Sequence, residues 1–408
     1  MPKENVVVGL DIGTTKATIC VGQVSEGLIN IIGFSRVPNN GLRRGIVVDI
    51  EDTVSAITSA LEEAERMSGV PITSAQVAIG GYHITSTVSK GVVAVSRADG
   101  EISKNDVNRV MEAARTVALP PNREILHVIP KYFTVDGQTN LAEPVGMTGI
   151  RLEVEAAVVS GSTAAIKNLS KCVNQAGLKI EEMIFSPIAA GKLLLNKKQK
   201  ELGVVLIDIG GGTTSMALYE SGDILHCAVI PVGSMHITND IAIGLRTSLE
   251  IAEKVKIKYG CAVPGEISES EMINLANFDQ TDNQRVERRY VAEIIHARLM
   301  EIFSLIRDEL RKVGKDGMLP AGIVFTGGGS KLEGLVGLAK EELRLPAQLG
   351  ETNIEIAGVV DKLDYAIYST SVGLILNGFE NQGENHNILM LDGGVIDKAK
   401  SFFKQFLP

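Results

Sequence analysis

The sequence predicts an α/β protein of two related halves around a shared phosphate-binding cleft. A small α+β subdomain is inserted in the first half, and an amphipathic helix closes the chain. Three observations carry this reading. The segment Val6-Val7-Val8-Gly9-Leu10-Asp11-Ile12-Gly13-Thr14-Thr15-Lys16 recurs in altered form as Val204-Val205-Leu206-Ile207-Asp208-Ile209-Gly210-Gly211-Gly212-Thr213-Thr214. Each is an apolar run, an Asp, a Gly/Thr turn and a second apolar run, which specifies a strand, a tight turn and a returning strand. Strand and helix signals then follow both units in a similar order, as a duplication requires. Between them, residues 83–162 hold a helix and several strands of their own.

The chain has 408 residues, too many for one ordinary core. Hydrophobic residues make up 45% and charged residues 22%, which fits a well-packed globular protein. A net charge of −9 argues against a general nucleic-acid binder, which needs a basic face to displace counterions. Cys20, Cys172, Cys227 and Cys261 form no Cys-x-x-Cys pair, so they are expected to be reduced core residues of a cytosolic protein. Met1-Pro2-Lys3 leads straight into a strand, without the apolar core of a signal peptide. No run of about 18 apolar residues is present to span a membrane.

The elements follow in order. Residues 6–34 alternate apolar and turn residues as a meander does. Ile50 to Met67 has helical spacing, with Val54, Ile57, Ala60, Leu61 and Ala64 on one face. Val77 to Ile79 reads as a strand ending at Gly80-Gly81. In the inserted region, Ile84–Val95, Ile125–Val135 and Leu152–Val159 read as strands, and Ile102–Val117 as a helix with Ser103 as N-cap. Helices are expected at Ser162–Ala176 and Ser186–Leu195, and the basic run Asn196 to Lys200 as a solvated connection. In the second half, strands run to about Val232. A helical segment His236–Leu245, a helix Ser248–Lys258, a long helix Val291–Val313, a strand Gly322–Thr326 and a helical stretch Leu335–Leu343 follow.

The chemistry concentrates in the two turns. Their backbone N–H groups and hydroxyls suit an anion, and two such turns facing each other would clamp a polyphosphate. Asp11 and Asp208 end buried strands, a costly place for a carboxylate unless a cation or hydrogen bonds receive it. Mg²⁺ held largely through water is the natural partner. Lys16 offers a point charge to a phosphate. A third glycine cluster, Thr326-Gly327-Gly328-Gly329-Ser330-Lys331, follows a strand and precedes a helix, where a ring or ribose can lie against bare backbone.

The order of these three motifs resembles the two phosphate loops and the adenosine loop of the actin superfamily. The resemblance implies an actin-like duplicated ATPase fold binding ATP and Mg²⁺. Gly13, Thr14, Thr15, Lys16, Gly210, Gly211, Gly212, Thr213 and Thr214 would lie around the phosphates. Gly327, Gly328, Gly329 and Ser330 would lie at the adenosine, and Glu253 and Lys256 would reach adenine and ribose. Asp11 and Asp208 would hold the metal, with Asp208 the candidate catalytic residue. Within the superfamily, Gly91-Val92-Val93-Ala94-Val95-Ser96, Glu101-Ile102-Ser103, Glu124 to Pro130 and Pro144 to Leu152 resemble the FtsA family of bacterial cell-division proteins over nearly the whole chain.

That resemblance implies a domain plan: 1–82 with 163–196 and about 358–380 as the first core subdomain, and 83–162 as the family-specific insert. Residues 197–246 with 302–357 would be the second core subdomain, 247–301 its small subdomain, 381–394 a linker and 395–408 a membrane-targeting helix. It further implies polymerisation through the insert, recruitment of other divisome proteins, and tethering of FtsZ filaments at the cytoplasmic face of the membrane at the division site. Arg285, Arg288 and Arg298 resemble the basic residues that bind the FtsZ C-terminal peptide, with Glu287 and Glu293 as local partners if they form only a solvated face. Where actin-like hydrolases place a Gln or Glu to orient water, this chain has Ser186-Pro187-Ile188, so slow turnover is expected. Another membrane-associated adaptor, as in pilus assembly, and a sugar-kinase-like phosphotransferase are the alternatives.

The C-terminus argues independently for a membrane. On a helical wheel Val395, Ile396, Ala399, Phe402, Phe403, Phe406 and Leu407 fall within an arc of about 140°. Asp397, Lys398, Lys400, Ser401, Lys404 and Gln405 fill the rest. Such a helix is marginal alone in water. On an anionic surface each lysine adds ~1 kcal/mol and each buried large side chain at most ~1.5–3 kcal/mol, which makes a reversible anchor.

Overall fold

The computed structural model describes residues 6–25, 28–116, 119–279, 283–359 and 363–383. Two sheets carry the two halves. In the first, strands Val6–Ile12, Lys16–Ser25 and Leu28–Pro38 form an antiparallel meander. Ser74–Ile79 joins Val6–Ile12 in parallel, and Lys179–Phe185 joins Ser74–Ile79 in parallel. In the second, Val204–Ile209, Thr214–Glu220 and Asp223–Ile230 form the meander. Gly322–Thr326 and then Ala347–Leu349 extend it in parallel. The two strand orders match one for one, apart from a short extra edge strand, Ile356–Gly358, beside Leu28–Pro38 in the first sheet. The duplication read from the repeated motif is thus a duplication of topology.

The helices form where the apolar spacing and the caps coincide. Ile50–Ser68 is capped by Asp49, which accepts from the Asp52 N–H at 3.0 Å, and stops at Gly69 with φ 72°. It buries Ala56, Ile57, Ala60 and Ala64 against the first sheet. Ser186–Leu194 leads from the first half to the second, and the last helix, Tyr365–Gly383, packs against it and against Val6–Ile12. The second half builds its own core from Ile207, Ile241, Val255, Ile295 and Phe303 among others.

The insert is a four-stranded antiparallel sheet in the order Thr85–Ala94, Arg151–Ser162, Arg123–Val135, Gln138–Leu141. Helix Lys104–Arg115 covers one face, and Ile102, Val110, Phe133, Leu152 and Val154 form a separate core beneath it. Ser103 caps that helix reciprocally with the buried Asp106, whose carboxylate accepts from the Ser103 hydroxyl and two N–H groups. Those bonds, the Ser103 hydroxyl foremost, hold Asp106 well below the usual carboxylate range. Arg123 pins the insert's root, donating to the His83 and Ser160 carbonyls at 2.9 and 2.8 Å.

Three local expectations change. The basic run is not a bare connection: Lys197–Leu202 is a six-residue helix, because Asn196 and Gln199 cap it reciprocally. The long helix spans Arg288–Lys312, starting before Val291. The last helix continues through Asn381 to Gly383, into the stretch read as a linker. Val395, Ile396, Phe402, Phe403, Phe406 and Leu407 lie outside the described residues. All four cysteines are buried and free, and among the described residues no helix is long and apolar enough to cross a membrane.

Candidate functional site

The two repeated turns have the same construction. The Gly13 N–H donates to the Lys16 carbonyl at 2.8 Å, and the Gly210 N–H to the Thr213 carbonyl at 2.9 Å. Asp11 faces Thr18 across its hairpin, and Asp208 faces Ser215. The tips are therefore Thr14-Thr15 in one half and Gly211-Gly212 in the other, and the tips touch. A Cβ added at Gly211 would lie 2.5 Å from Thr15 Cγ2, and one at Gly212 would lie 2.6 Å from Thr14 Oγ1. Asn39 braces the first turn by donating its side-chain amide to the Gly13 carbonyl at 2.8 Å. Gly45 N–H donates to Thr14 Oγ1 at 3.1 Å.

Behind the tips is a cavity of about 80 Å³ lined by Asp11, Lys16, Asp208, Thr213 and Ser215. Burial, reinforced by the Asp208 charge, pushes the Asp11 carboxyl up to about 7, while Lys16 draws it down. Burial likewise pushes Asp208 up to about 6 against the pull of Lys16. Desolvation lowers Lys16 in turn. A cleft that makes carboxylates this reluctant to ionise rewards a cation. Among the described residues no three His, Cys, Asp or Glu side chains come together to hold a metal. Two carboxylates beside a phosphate-sized space, all oxygen donors, fit Mg²⁺ with most of its ligands supplied by water and phosphate.

Two side chains expected at the nucleotide, Thr214 at the phosphates and Ser330 at the adenosine, are turned elsewhere. Thr214 is fully buried on its strand and its hydroxyl donates to the Val232 carbonyl at 2.8 Å, away from the cleft. The reason is alternation: Asp208 pairs with Ser215, so Ser215 shares its face and Thr214 takes the other. Ser330 is buried too, and its hydroxyl is spent on the Gly327 carbonyl at 2.7 Å. It shapes the glycine turn from within. Ser215 was not expected, although a hairpin register drawn from Asp208 points to it.

The small cavity adjoins a larger one of about 840 Å³. Gly328 and Gly329 form one wall, and Glu253, Lys256 and Thr238 another. Gly327 has φ 84°, and a Cβ there would lie 2.1 Å from Asp208 Oδ1. Bare backbone at this point lets the third motif press against the second. Lys256 is buried and donates to Glu253 at 2.6 Å, to Thr238 Oγ1 at 2.8 Å and to the Ser234 carbonyl at 3.2 Å. Burial lowers its pKa and Glu253 raises it. The pair is therefore a built feature of the wall. Arg36 from the first half also lines this cavity, beside Lys16, and was not expected. Ser186 stands at the start of the linking helix on the floor of the smaller cavity, with its hydroxyl donated to the Ile79 carbonyl at 3.2 Å.

The three arginines do not form one cluster. Arg285 is exposed on the short strand Arg285–Glu287. Arg288 is held by Glu271 at 3.0 Å, Glu333 at 2.8 Å and the Tyr259 carbonyl, not by its sequence neighbours. Arg298 makes a two-pronged ion pair with Asp240 at 2.6 and 2.9 Å and a further bond to Glu301, one turn along its own helix. Only Arg298 lines the open groove of about 380 Å³ formed with Ile243, Tyr290, Ile294 and Ala297.

The description "Cell division protein FtsA" belongs to the family that matches residues 205–373, and "SHS2 domain inserted in FTSA" to the one that matches residues 81–160. The chain is 41% identical to cell division protein FtsA of Pseudomonas aeruginosa over 379 residues, covering 93% of this chain and 90% of that protein. It is 42% identical to FtsA of Bacillus subtilis, covering 92% and 84%, and 34% identical to FtsA of Escherichia coli K12, covering 92% and 90%. Among solved structures, the PilM-PilN type IV pilus biogenesis complex matches at TM-score 0.66 and 18% identity, covering 91% of this chain and 98% of that one. MreB 5 of Spiroplasma citri bound to AMPPNP matches at TM-score 0.56 and 14% identity, covering 94% and 99%. The duplicated sheets, the paired turns and the SHS2 insert together make this an actin-like protein, and the chain belongs to the FtsA family of cell division proteins.

Proposed function

We propose that this chain binds ATP with Mg²⁺ between its two hairpins and acts as a polymer subunit tethering FtsZ filaments to the cytoplasmic membrane at the division site. The observation that carries the nucleotide reading is the pair of identically built turns converging on Asp11, Asp208 and Lys16. The N–H groups of Thr14, Thr15, Gly211, Gly212 and Thr213 would receive the phosphates, with Lys16 as the cation, while the Gly13 and Gly210 N–H groups close the two turns. Asp11 and Asp208 would hold Mg²⁺ through water, and the metal when bound would neutralise phosphate charge. Gly327, Gly328, Gly329, Glu253 and Lys256 would hold the nucleoside.

Ser186 already donates its hydroxyl to a backbone carbonyl, and its neighbour Pro187 has no N–H. Neither is suited to position an attacking water, which supports ATP as a ligand that closes the cleft and favours polymers, with slow turnover. A phosphate-release rate well above about one per second would count against this.

The groove of Ile243, Tyr290, Ile294 and Ala297 supports a partner peptide that offers apolar residues, as expected of the FtsZ C-terminus, with Arg298 held at its edge by Asp240 and Glu301. The decisive experiment is co-sedimentation with anionic liposomes and FtsZ. The full chain should carry FtsZ into the pellet, and deletion of residues 395–408 should abolish pelleting while leaving ATP affinity intact. Arg298→Ala should weaken binding of the FtsZ peptide at least tenfold by fluorescence anisotropy. Unchanged peptide affinity would remove the groove from the proposal.

A further inference from the structure

The short helix Lys197–Leu202 serves neither the nucleotide cleft nor the peptide groove. None of its residues is buried. Six residues are far too few for a helix to persist alone, so its ends must hold it. The Gln199 N–H donates to Asn196 Oδ1 at 2.9 Å and the Asn196 N–H to Gln199 Oε1 at 3.0 Å. At its other end the N–H groups of Ser221 and Gly222 donate to the Glu201 and Lys200 carbonyls, both at 3.1 Å. The result is a fixed platform with Lys197 and Lys198 exposed and the Lys200 ammonium 5.4 Å above the Tyr219 ring.

Its place in the fold gives it meaning. Lys192, at the end of the preceding helix, donates to Asn377 Oδ1 and Glu380 Oε2, each at 2.5 Å. Those bonds fasten the segment entering the platform to the last turns of Tyr365–Gly383. Burial and the neighbouring Lys192 charge lower the Lys200 pKa, and the nearby Glu380 charge opposes them. The lysine platform therefore stands at the root of the C-terminal tail. Residues 384–394 reach at most ~40 Å before the amphipathic segment begins. The nearby acids are largely engaged: Glu380 by Lys192, and Glu182 by Asn377 and Asn381 at 2.8 Å each. Glu201 is the one exposed acid on the helix itself.

We propose that Lys197 and Lys198 form a second, purely electrostatic contact with an anionic lipid surface, on a helix that Lys200 anchors over the buried Tyr219 ring. The contact orients the subunit once residues 395–408 have inserted. It rests on the membrane reading above and deepens it, because a single short anchor is reversible and a basic patch can supply the second signal that stable anchoring needs. The orientation follows from geometry: a tether leaves the tip of the last helix, and the charged platform beside that tip is drawn to the same surface.

The test uses the full chain with vesicles of phosphatidylcholine alone, or with about a third phosphatidylglycerol, at physiological salt. Lys197→Gln with Lys198→Gln should lower affinity for the anionic vesicles by at least about fivefold, the effect expected from one lysine near the surface. It should leave ATP affinity and the thermal midpoint unchanged. The ratio between variant and parent should shrink as salt shortens the Debye length. Anionic-vesicle affinity within twofold of the parent, or a loss that salt does not erase, would overturn the proposal. Deletion of residues 395–408 serves as the separate arm. Retained pelleting there overturns the amphipathic anchor, whatever the lysine variant does.

Discussion

Replacing Gly327 by Ala tests the idea that the third motif is pressed onto the second. The backbone there has φ 84° and ψ 159°, a region essentially only glycine adopts and one that costs an L-residue about 1–3 kcal/mol. The new methyl would lie 2.1 Å from Asp208 Oδ1 and 2.6 Å from the Ile209 carbonyl. Both belong to the strand Val204–Ile209, which is paired on both sides within its sheet and cannot yield easily. Overpacking of this kind costs about 1–3 kcal/mol, so the two effects together give roughly 2–6 kcal/mol. Whichever element moves, Asp208 and the Gly328–Gly329 wall lose their relation, and ATP affinity should fall at least about tenfold, which is 1.4 kcal/mol. Urea denaturation and titration with a fluorescent ATP analogue read the two consequences. Gly337→Ala is the control: it is an exposed helical glycine with open space around it, and alanine should stabilise by about 0.5–1 kcal/mol. A Gly327→Ala protein with parental stability and ATP affinity within twofold would refute the reasoning.

Other expectations follow from the same geometry. Thr214→Val should cost about 1 kcal/mol of stability through its lost hydrogen bond to Val232 and leave ATP affinity unchanged, whereas Ser215→Val should weaken Mg²⁺-dependent ATP binding. Calorimetric titration separates the two. Lys256→Met strips Glu253 and Thr238 of their shared cation and should raise the dissociation constant for ATP at least tenfold in the same titration. His127 links the insert to the core by accepting the Phe185 N–H at 3.0 Å, and burial, aided by Lys192, pushes it down to about 4. Its folded pKa lies below the unfolded value near 6.5, so the unfolded chain binds the extra proton in that window. The contribution is complete above pH 6.5 and lost as pH falls toward 4, by up to about 3 kcal/mol. Burial pushes His83 the same way, also to about 4. Melting curves from pH 7.5 to 4.5 should fall more steeply for the parent than for His127→Asn, and equal slopes would exclude His127.

Much of this was legible because local signals and tertiary demands agreed. Ser103 before an apolar-periodic run announced a helix start, and the structure places it as the N-cap. The paired Asp-Ile-Gly turns announced two hairpins, and the strand orders around them match. What was not legible depended on register or distance. Thr213-Thr214 resembles Thr14-Thr15 by eye, yet the four-residue turns put Thr213 level with Lys16 and send Thr214 into the strand. That offset of two moves the pair from the turn tip into the strand, where alternation gives the face of Asp208 to Ser215 and the opposite face to Thr214. The arginine partners were unreadable for another reason. Helical spacing offers only neighbours three or four residues away, which reaches Glu301 for Arg298 but not Asp240, and not the Glu333 that Arg288 finds; both of these lie far off in sequence.

The difference between the two turns matters as much as their likeness. Symmetric topology brings two hairpin tips face to face, but the tips meet only because their side chains are unlike. Thr14 and Thr15 carry methyl and hydroxyl groups, and these press on Gly211 and Gly212, where any Cβ would collide. Two threonine tips would hold the halves a side chain apart. Two glycine tips would meet with little to pack and a large loss of backbone entropy on ordering. Lys16 likewise has no counterpart, since Thr213 occupies its place opposite, so one cation serves both carboxylates. The duplication therefore supplies the jaws, and the departures from it make them close on each other. A nucleotide that enters between such jaws must act on both halves at once, which is what a ligand that sets subunit conformation has to do.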